Sequence, residues 1–369
     1  MKKSALPAPL RFAMVGLGHF AQAAVLPAFA NTKKKAELKA LVTGDPEKSA
    51  ELSEKYQVPA VSYDSYESLL QSGDIDAVYV AVPNTLHREY TERAARQGMH
   101  VLCEKPLAYT TADARAMITA CREANVRLMT AYRLHFEEGN LQAIAAVKGG
   151  EIGEPRLFIA THTMQVKEDN IRVDAELGGG PLEDIGIYCL NAARYLFQSE
   201  PEEVFAYACF GTDPRFVEVP ESVCATLRFP QNRLATFLCG FGEAKSSEYR
   251  VLGTKGLIKV DPAFTWQGDI QLSVINGQQK TRKFKHRDQI AAEIIHFVDS
   301  VRNDQDPEPS GEEGLIDVNI IEALRHSYTT NQPVKLDHSQ DKCYPDPSQS
   351  IHRPPSSNPE LVNASSPGQ

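Results

Sequence analysis

Long hydrophobic runs and an excess of positive charge are both missing from this sequence. No stretch approaches the ~20 apolar residues of a membrane-spanning helix, so no membrane span is predicted. The 39 Lys and Arg residues are outnumbered by 48 Asp and Glu residues, a formal net charge of −9. Because binding to nucleic acid phosphates needs a basic surface, we expect no nucleic acid partner. Residues 1–11 contain neither an apolar segment nor a twin arginine, so we expect no export signal and a cytoplasmic protein.

Cysteines in metal-binding or redox spacing are also absent. The seven cysteines are scattered and none forms a Cys-x-x-Cys pair, so we predict neither a metal site nor a disulfide framework. Cys209, Cys224 and Cys239 fall in apolar strand patterns, and we expect them to be buried as small hydrophobic residues. What remains is the composition of an ordinary globular protein, with a length of 369 residues that favours two domains.

The first third of the chain alternates short apolar runs with amphipathic helical patterns. Buried strands separated by helices indicate βαβ crossovers and a parallel sheet. Asp45 followed by Pro46 is typical of a helix start, with a side-chain cap and a proline in the first turn. The strands are predicted over 11–15, 38–43, 77–82, 100–103 and 127–130, and helices over 45–56, 87–97 and 111–124.

After about residue 150 strand patterns follow one another without long helices between them, which predicts a largely antiparallel sheet. These strands are expected over 156–163, 203–210, 223–229, 234–241, 249–253, 257–260 and 270–275, and helices over 181–197 and 289–302. The sequence therefore predicts an α/β Rossmann domain with a doubly wound parallel sheet (1–131), followed by an α+β domain with a large open sheet (132–336). Residues 337–369, rich in Pro, Ser, Asn and Asp, are predicted to form a disordered tail.

A glycine-rich turn follows the first predicted strand. Gly16-Leu17-Gly18-His19-Phe20-Ala21 has the G-x-G-x-x-A form, in which the first glycine permits a tight turn and the second lets a pyrophosphate approach the backbone. The following helix would offer N–H groups and partial positive charge to the phosphates. A plain strand–helix connection is the alternative, but the position in a βαβ series favours dinucleotide binding.

The end of the second strand bears on the choice of cofactor. NAD enzymes usually place an acidic residue there for the ribose hydroxyls. Here Thr43-Gly44 takes that place, and Asp45 is expected to cap its own helix. Thr43 would not repel a 2′-phosphate, and Lys48 lies one turn along the helix. Lys48 could equally be an ordinary solvated lysine, but the pattern favours NADP over NAD.

Glu104-Lys105-Pro106 follows the fourth predicted strand, at the sheet edge where doubly wound folds bind ligands. Together with the glycine turn, this motif resembles the Gfo/Idh/MocA family of oxidoreductases, and within it the glucose–fructose oxidoreductase branch. The resemblance covers roughly residues 11–336, and further motifs that carry it are VPNTLH (82–87), GGGPLEDIGIY (178–188), FVEV (216–219) and GEEG (311–314).

The resemblance implies a catalytic set of Lys105, Asp184 and Tyr188. Asp184 and Tyr188 are four residues apart and project from one face of the predicted helix. Oxidation of a carbinol needs an acceptor for the hydroxyl proton, and Tyr188 is the candidate acid/base, aided by positive charge from Lys105. Alternatively, Asp184 is a helix N-terminal charge and Tyr188 a packing residue.

The resemblance also implies further cofactor and substrate contacts. Lys105, Asp184 and Tyr188 would contact substrate together with Arg172, which could instead be only a surface charge. His87 could be a local helix cap rather than a ligand contact. The implied cofactor contacts are the turn residues Gly16, Leu17, Gly18, His19 and Phe20, the 2′-phosphate site Thr43, Lys48 and Tyr56, and Asn84, His87, Glu104, Lys105 and Arg133.

The leading hypothesis is an NADP-dependent enzyme that oxidises an aldose at C1 to a lactone, with transfer to a second sugar left open. A dehydrogenase or ketoreductase of a nucleotide sugar, inositol or anhydrosugar is the alternative within the family, and a non-catalytic NADP sensor is a distant third. Glucose–fructose oxidoreductases carry an export signal and a long N-terminal arm that wraps the cofactor. Only about ten residues precede the first predicted strand here, which puts permanent cofactor retention in doubt.

Bulky residues on both faces of neighbouring strands suggest that the second-domain sheet has a covered outer face. We therefore expect a homodimer or homotetramer assembled through this sheet, as the resemblance also implies. The residues concerned are Thr226, Leu227, Phe229, Phe237 and Leu238.

Overall fold

The apolar runs of the first third form a parallel sheet, as predicted, and a short sixth strand, β3, that was not predicted extends its edge. The computed structural model describes residues 8–337 and 344–368. The strand order is β3-β2-β1-β4-β5-β6, so the order reverses between β1 and β4, where doubly wound folds bind their ligands. The strands are β1 Leu10–Val15, β2 Ala36–Val42, β3 Ala60–Val61, β4 Ala77–Val80, β5 His100–Glu104 and β6 Leu128–Ala131.

Helices cover both faces of this sheet and give it two separate apolar cores. They are α1 (21–31), α2 Pro46–Tyr56, α3 Tyr66–Leu70, α4 His87–Arg96 and α5 Thr111–Glu123. The Asp45 carboxylate accepts the N–H groups of Glu47 and Lys48, as its predicted capping role requires. Among the helices in the described ranges, none combines the length and apolarity needed to cross a bilayer.

The second sheet has nine strands in the order β14-β13-β12-β11-β7-β10-β9-β8-β15. Only the β7–β10 pair is parallel, so the prediction of a mostly antiparallel sheet is confirmed. Its strands are β7 Pro155–Gln165, β8 Glu203–Cys209, β9 Ser222–Phe229, β10 Arg233–Gly240, β11 Gly242–Gly253, β12 Leu257–Val260, β13 Ile270–Ile275, β14 Gln279–Phe284 and β15 Val334–Lys335.

Three helices pack on the inner face of the second sheet, and a fourth returns to the first domain. The inner-face helices are α6 Glu138–Lys148, α7 (182–197) and α9 Gly311–Thr330. Helix α8, Gln289–Arg302, instead places Ile290, Ile294 and Phe297 in the core of the parallel sheet. Short 3₁₀ turns lie at Tyr63–Ser65, Asn84–Leu86, Arg133–Phe136, Ile171–Val173, Pro214–Phe216 and Pro347–Gln349.

The alternation of side chains across the second sheet corrects the expected burial of two cysteines. Val223 on β9 and Cys239 on β10 point into the core, whereas Cys209 is exposed and Cys224 is half-buried. Side chains of neighbouring residues in a strand point to opposite faces, so Cys224 faces outward beside the inward-facing Val223. An apolar strand pattern alone does not tell which face is covered.

The predicted disordered tail is also corrected, for residues 344–368. Val362 is buried with 8% of its surface exposed, and its backbone pairs with the Gln22 side chain in α1. Such backbone pairing holds a segment in place without requiring many apolar residues. Residues 338–343 and 369, which belong to the same prediction, lie outside the described residues.

Candidate active site

A cavity of about 1030 Å³ lies between the glycine turn, the end of β5 and the second sheet. Its position at the carboxyl ends of the parallel strands is the expected ligand site of a doubly wound fold. Eleven of the sequence-predicted site residues line it: Gly18, His19, Phe20, Asn84, His87, Glu104, Lys105, Arg133, Arg172, Asp184 and Tyr188.

The glycine turn has the geometry that a dinucleotide requires. Gly16 adopts φ +91°, and a Cβ there would lie 2.5 Å from the carbonyl oxygen of Ala81. A Cβ on Gly18 would meet nothing within 4 Å, so this residue leaves open space at the cavity wall. Burial is the main cause of the lowered pKa of His19, and the neighbouring cations Arg172 and Lys167 lower it further. This cradle fits an anionic pyrophosphate.

The residues predicted to surround a 2′-phosphate lie outside the cavity lining. Thr43 is buried and its hydroxyl oxygen accepts the N–H of Asp45 at 3.2 Å. The Nζ atom of Lys48 lies 3.8 Å from the Asp45 carboxylate. Tyr56, the last residue of α2, packs against the core of the first domain. Leu17 is likewise buried in that core, so only its backbone is available at the turn.

Lys105 and Asp184 form the centre of the site. The Lys105 ammonium donates to the backbone oxygen of Asp184 at 2.6 Å and lies 3.2 Å from its carboxylate. Arg172 Nε donates to the other carboxylate oxygen at 2.6 Å. Burial opposes both charges, yet Asp184 holds the pKa of Lys105 above its usual value, and the two cations hold the pKa of Asp184 far below its own. Both groups are therefore ionised at neutral pH.

Tyr188 lies beside this ion pair, with its ring between two cations. The Lys105 ammonium is 4.9 Å and the Arg133 guanidinium 4.7 Å from the ring centre. Arg133 Nε also donates to the Tyr188 hydroxyl at 3.2 Å. The Tyr188 side chain therefore lies in the cavity beside one ammonium and one guanidinium group.

Sequence reasoning missed the aromatic wall of the site and the role of Arg133. His162 on β7 packs against the Tyr188 ring and against Phe264, and all three line the cavity. Burial lowers the pKa of His162 to about 3, so this ring is neutral in the physiological range. Arg133, predicted as a cofactor contact, also donates to Gln289 and to the backbone oxygen of Phe264. Only the place of His162 on a strand bordering the site could have signalled it.

His87 lines the cavity, but its ring nitrogens face the backbone of the protein. Its ring is fully buried, and its two nitrogens lie within hydrogen-bond distance of the backbone oxygens of Pro106, Leu107 and Val82. Because a neutral imidazole donates from only one nitrogen, the ring bonds the protein through at least one of these oxygens, and its predicted contact with a cofactor stays a prediction.

Two other predicted cofactor contacts also bind the protein itself. Asn84 donates to the backbone oxygen of Gly178 at 2.8 Å. Glu104 accepts from the Tyr79 hydroxyl at 2.7 Å, and burial raises the pKa of its carboxyl. Both residues nevertheless line the cavity, so their predicted contacts with a cofactor stay predictions.

Comparison with known proteins identifies the family. Residues 10–132 match the oxidoreductase family with an NAD-binding Rossmann fold, Gfo/Idh/MocA, and residues 140–259 match its C-terminal domain. The chain belongs to the Gfo/Idh/MocA family. The family predicted from the glycine turn and Glu104-Lys105-Pro106 is thereby confirmed.

Several members of the Gfo/Idh/MocA family resemble the chain over nearly its whole length. A D-xylose 1-dehydrogenase [NADP(+)] of Haloarcula marismortui is 33% identical over 91% of this chain and 96% of its own. The crystal structure of an aldose-aldose oxidoreductase from Caulobacter crescentus, complexed with glycerol, is 38% identical and superposes with a TM-score of 0.84 over 89% and 100%. A 3-ketoreductase from Actinomadura kijaniata in complex with NADP and TDP-benzene is 28% identical, with a TM-score of 0.80 over 86% and 98%.

Proposed function

We propose that the protein is an NADP-dependent sugar oxidoreductase that oxidises an aldose at C1 to a lactone. The observation that carries this proposal is the cluster of Lys105, Asp184 and Tyr188 in one cavity with the glycine turn. The similarity to an NADP(+)-dependent D-xylose 1-dehydrogenase supports NADP as the cofactor, and the similarity to this enzyme and to the aldose-aldose oxidoreductase supports an aldose as the substrate.

The charged groups in the cavity suit a substrate rich in hydroxyls. Besides Lys105 and Arg172, the cavity wall carries Gln165 and Lys245, so several donors and acceptors converge on one space. Phe264 and Trp266 add apolar surface to the same wall, of the kind that packs against a sugar ring. Polar groups placed around an apolar platform allow a pyranose to bind in one orientation.

The roles of the residues follow from the atoms that must move. Oxidation at C1 removes a hydride from carbon and a proton from the anomeric hydroxyl. A bound nicotinamide supplies the acceptor for the hydride. The Tyr188 oxygen accepts the proton, while the Lys105 ammonium donates a hydrogen bond to the reacting oxygen and stabilises developing negative charge. Asp184 and Arg172 hold Lys105 and orient the neighbouring hydroxyl.

The proposed function is tested by single-turnover reduction of protein-bound NADP⁺ with a panel of pentoses and hexoses, which gives a signal whether or not the cofactor is released. Each free aldose is compared with its methyl glycoside, in which the C1 hydroxyl is blocked. We expect oxidation of the free aldose only. Equal oxidation of both would show that a ring hydroxyl reacts, and activity confined to a dTDP-ketosugar would favour a ketoreductase, the activity named for the Actinomadura kijaniata relative.

Cofactor choice gives a second expected result. Wild-type protein should bind NADP(H) at least about tenfold more tightly than NAD(H), because a charge-assisted contact to phosphate contributes roughly 1.5–3 kcal/mol. Lys48→Ala should narrow this preference by weakening NADP(H) binding alone. Titration of intrinsic fluorescence measures both affinities, with Lys39→Ala, at a half-exposed lysine on β2, as the control. Equal wild-type affinities for the two cofactors would contradict the assignment of Lys48.

We further propose that the outer face of the second sheet is the interface of a homodimer or homotetramer. Leu227, Phe229 and Phe237 point into the core, so of the residues singled out in the sequence only Thr226 and Leu238 face outward. The face nevertheless carries several large exposed apolar side chains on β7, β8 and β10, namely Leu157, Ile159, Tyr207, Leu234 and Leu238. An apolar patch of this kind on one sheet face is typical of an association surface.

The interface is tested by the double substitution Leu234→Lys and Leu238→Lys. Two charges placed in an apolar interface should shift the protein to the monomer, as measured by light scattering at micromolar concentration. Val217→Lys, at an exposed apolar residue outside the strands, is the control and should leave the mass unchanged. A monomeric wild-type protein would contradict the proposal.

A further inference from the structure

The C-terminal arm, residues 344–368, starts on the second domain, where the Tyr344 hydroxyl donates to Glu200 at 3.1 Å, and reaches the first domain at Arg353. Arg353 Nε donates to the backbone oxygen of Asn31 at 2.5 Å, and Asn31 Nδ2 donates to the oxygen of Pro354 at 3.0 Å. The backbone oxygen of Arg353 also accepts the N–H of Asp288, just before α8. These contacts place this part of the arm at the end of α1 and at the start of α8.

The middle of the arm is bound to the glycine turn and to α2. The Gln22 side chain accepts the N–H of Val362 at 2.8 Å and donates to its oxygen at 2.9 Å, and it also donates to the oxygen of Leu17 inside the turn. Asn363 Nδ2 donates to the Asp45 carboxylate at 2.6 Å, and Lys55 donates to the oxygen of Glu360. The arm therefore contacts the two elements that bracket the expected adenosine half of a dinucleotide.

The end of the arm reaches the second domain. The Lys167 N–H donates to the oxygen of Pro367 at 2.9 Å, and Gly368 forms an antiparallel bridge with Val166, directly after β7. Between its contacts on α2 and on β7, the arm crosses from one domain to the other. Six of its residues line the same cavity as the glycine turn: Asn358, Pro359, Leu361, Ser366, Pro367 and Gly368.

We propose that the C-terminal arm forms the outer wall of the dinucleotide site and retains the cofactor through successive turnovers. The glycine turn and the arm line the same cavity and are joined through Gln22, so in this proposal a dinucleotide bound on the turn leaves only when the arm opens. Residues 361–368 carry no acidic side chain, so the wall does not repel phosphates. The inference rests on the proposed cofactor, and retention would allow a second sugar to be reduced by the same bound molecule.

The test measures how fast NADPH leaves protein that has been loaded with it. The protein is mixed with excess NADP⁺, and the change in nicotinamide fluorescence gives the release rate. Two variants detach the arm: a chain ending at Ser357, and full-length Val362→Asp, which places a charge at a buried position. We expect both to release NADPH at least about tenfold faster than wild type, because opening of the arm no longer limits the exit. Ser357→Ala, at an exposed arm residue, is the control and should release NADPH at the wild-type rate.

The outcomes distinguish a failure of the proposal about the arm from a failure of the proposed function. Equal release rates in wild type and in folded Val362→Asp, checked by circular dichroism, would overturn the role of the arm. Tighter NADPH binding after truncation would also overturn it, because the arm would then occupy the place of the cofactor. If the variants release NADPH faster than wild type but the wild-type protein oxidises no aldose, the proposed role of the arm is supported and the proposed substrate is refuted.

Discussion

Lys105→Ala is expected to lower kcat for aldose oxidation by about a hundredfold or more, while the fold and NADPH binding are retained. The ammonium lies 3.2 Å from the Asp184 carboxylate and 4.9 Å from the centre of the Tyr188 ring, and its raised pKa keeps it charged across the neutral range. Removing a positioned charge that stabilises a developing alkoxide has effects of this size in enzymes. Steady-state kinetics with saturating NADP⁺ measures the change.

Lys245→Ala is the matched control for this loss of charge. Lys245 lines the same cavity but is no part of the ion pair, so its removal should change kcat much less than that of Lys105. A Lys105→Ala protein with more than about a tenth of the wild-type kcat would remove Lys105 from the centre of the chemistry.

Tyr188→Phe should also lower kcat by about a hundredfold or more, for a different reason. The substitution removes only the hydroxyl, so the packing of the ring against His162 and Phe264 is kept. If Tyr188 accepts the proton, wild-type kcat rises with pH through one ionisation, and this limb is absent in Tyr188→Phe. His162 does not produce such a limb, because with its pKa near 3 it stays neutral throughout.

The pH profiles of wild type and Tyr188→Phe decide between catalysis and packing. If Tyr188 only packs, the phenylalanine variant keeps most of its rate and the limb persists. An active variant with an unchanged profile would leave Lys105 as the proton carrier. Circular dichroism of both proteins confirms that a loss of rate is not a loss of fold.

The sequence predicted the parallel sheet and most of the second sheet, because their buried strands are marked by apolar runs. It missed β14, whose sequence QKTRKF is almost entirely exposed at the sheet edge and shows no apolar alternation. It also did not predict that α8, late in the chain, packs on the first domain, since periodicity shows that a helix has an apolar face but not which partner covers it.

In the candidate site, too, local sequence motifs were predictive, whereas contacts that depend on the packing of distant elements were not. Motifs identified Lys105, Asp184 and Tyr188, and the structure places them in one cavity. His162 comes from a strand without any motif, and its contact with the Tyr188 ring arises only when the sheet packs on α7. The arm was predicted to be disordered because it has few apolar residues, but backbone pairing with Gln22 is invisible to composition.

The most direct test of aldose oxidation at C1 uses an aldose that carries deuterium on that carbon. The protein is incubated with NADP⁺ and the labelled sugar, and the NADPH formed is analysed by mass spectrometry. Hydride removal from C1 predicts NADPH that carries the deuterium, together with an unlabelled lactone. Unlabelled NADPH, formed with an oxidised sugar that retains deuterium at C1, would contradict the proposed reaction.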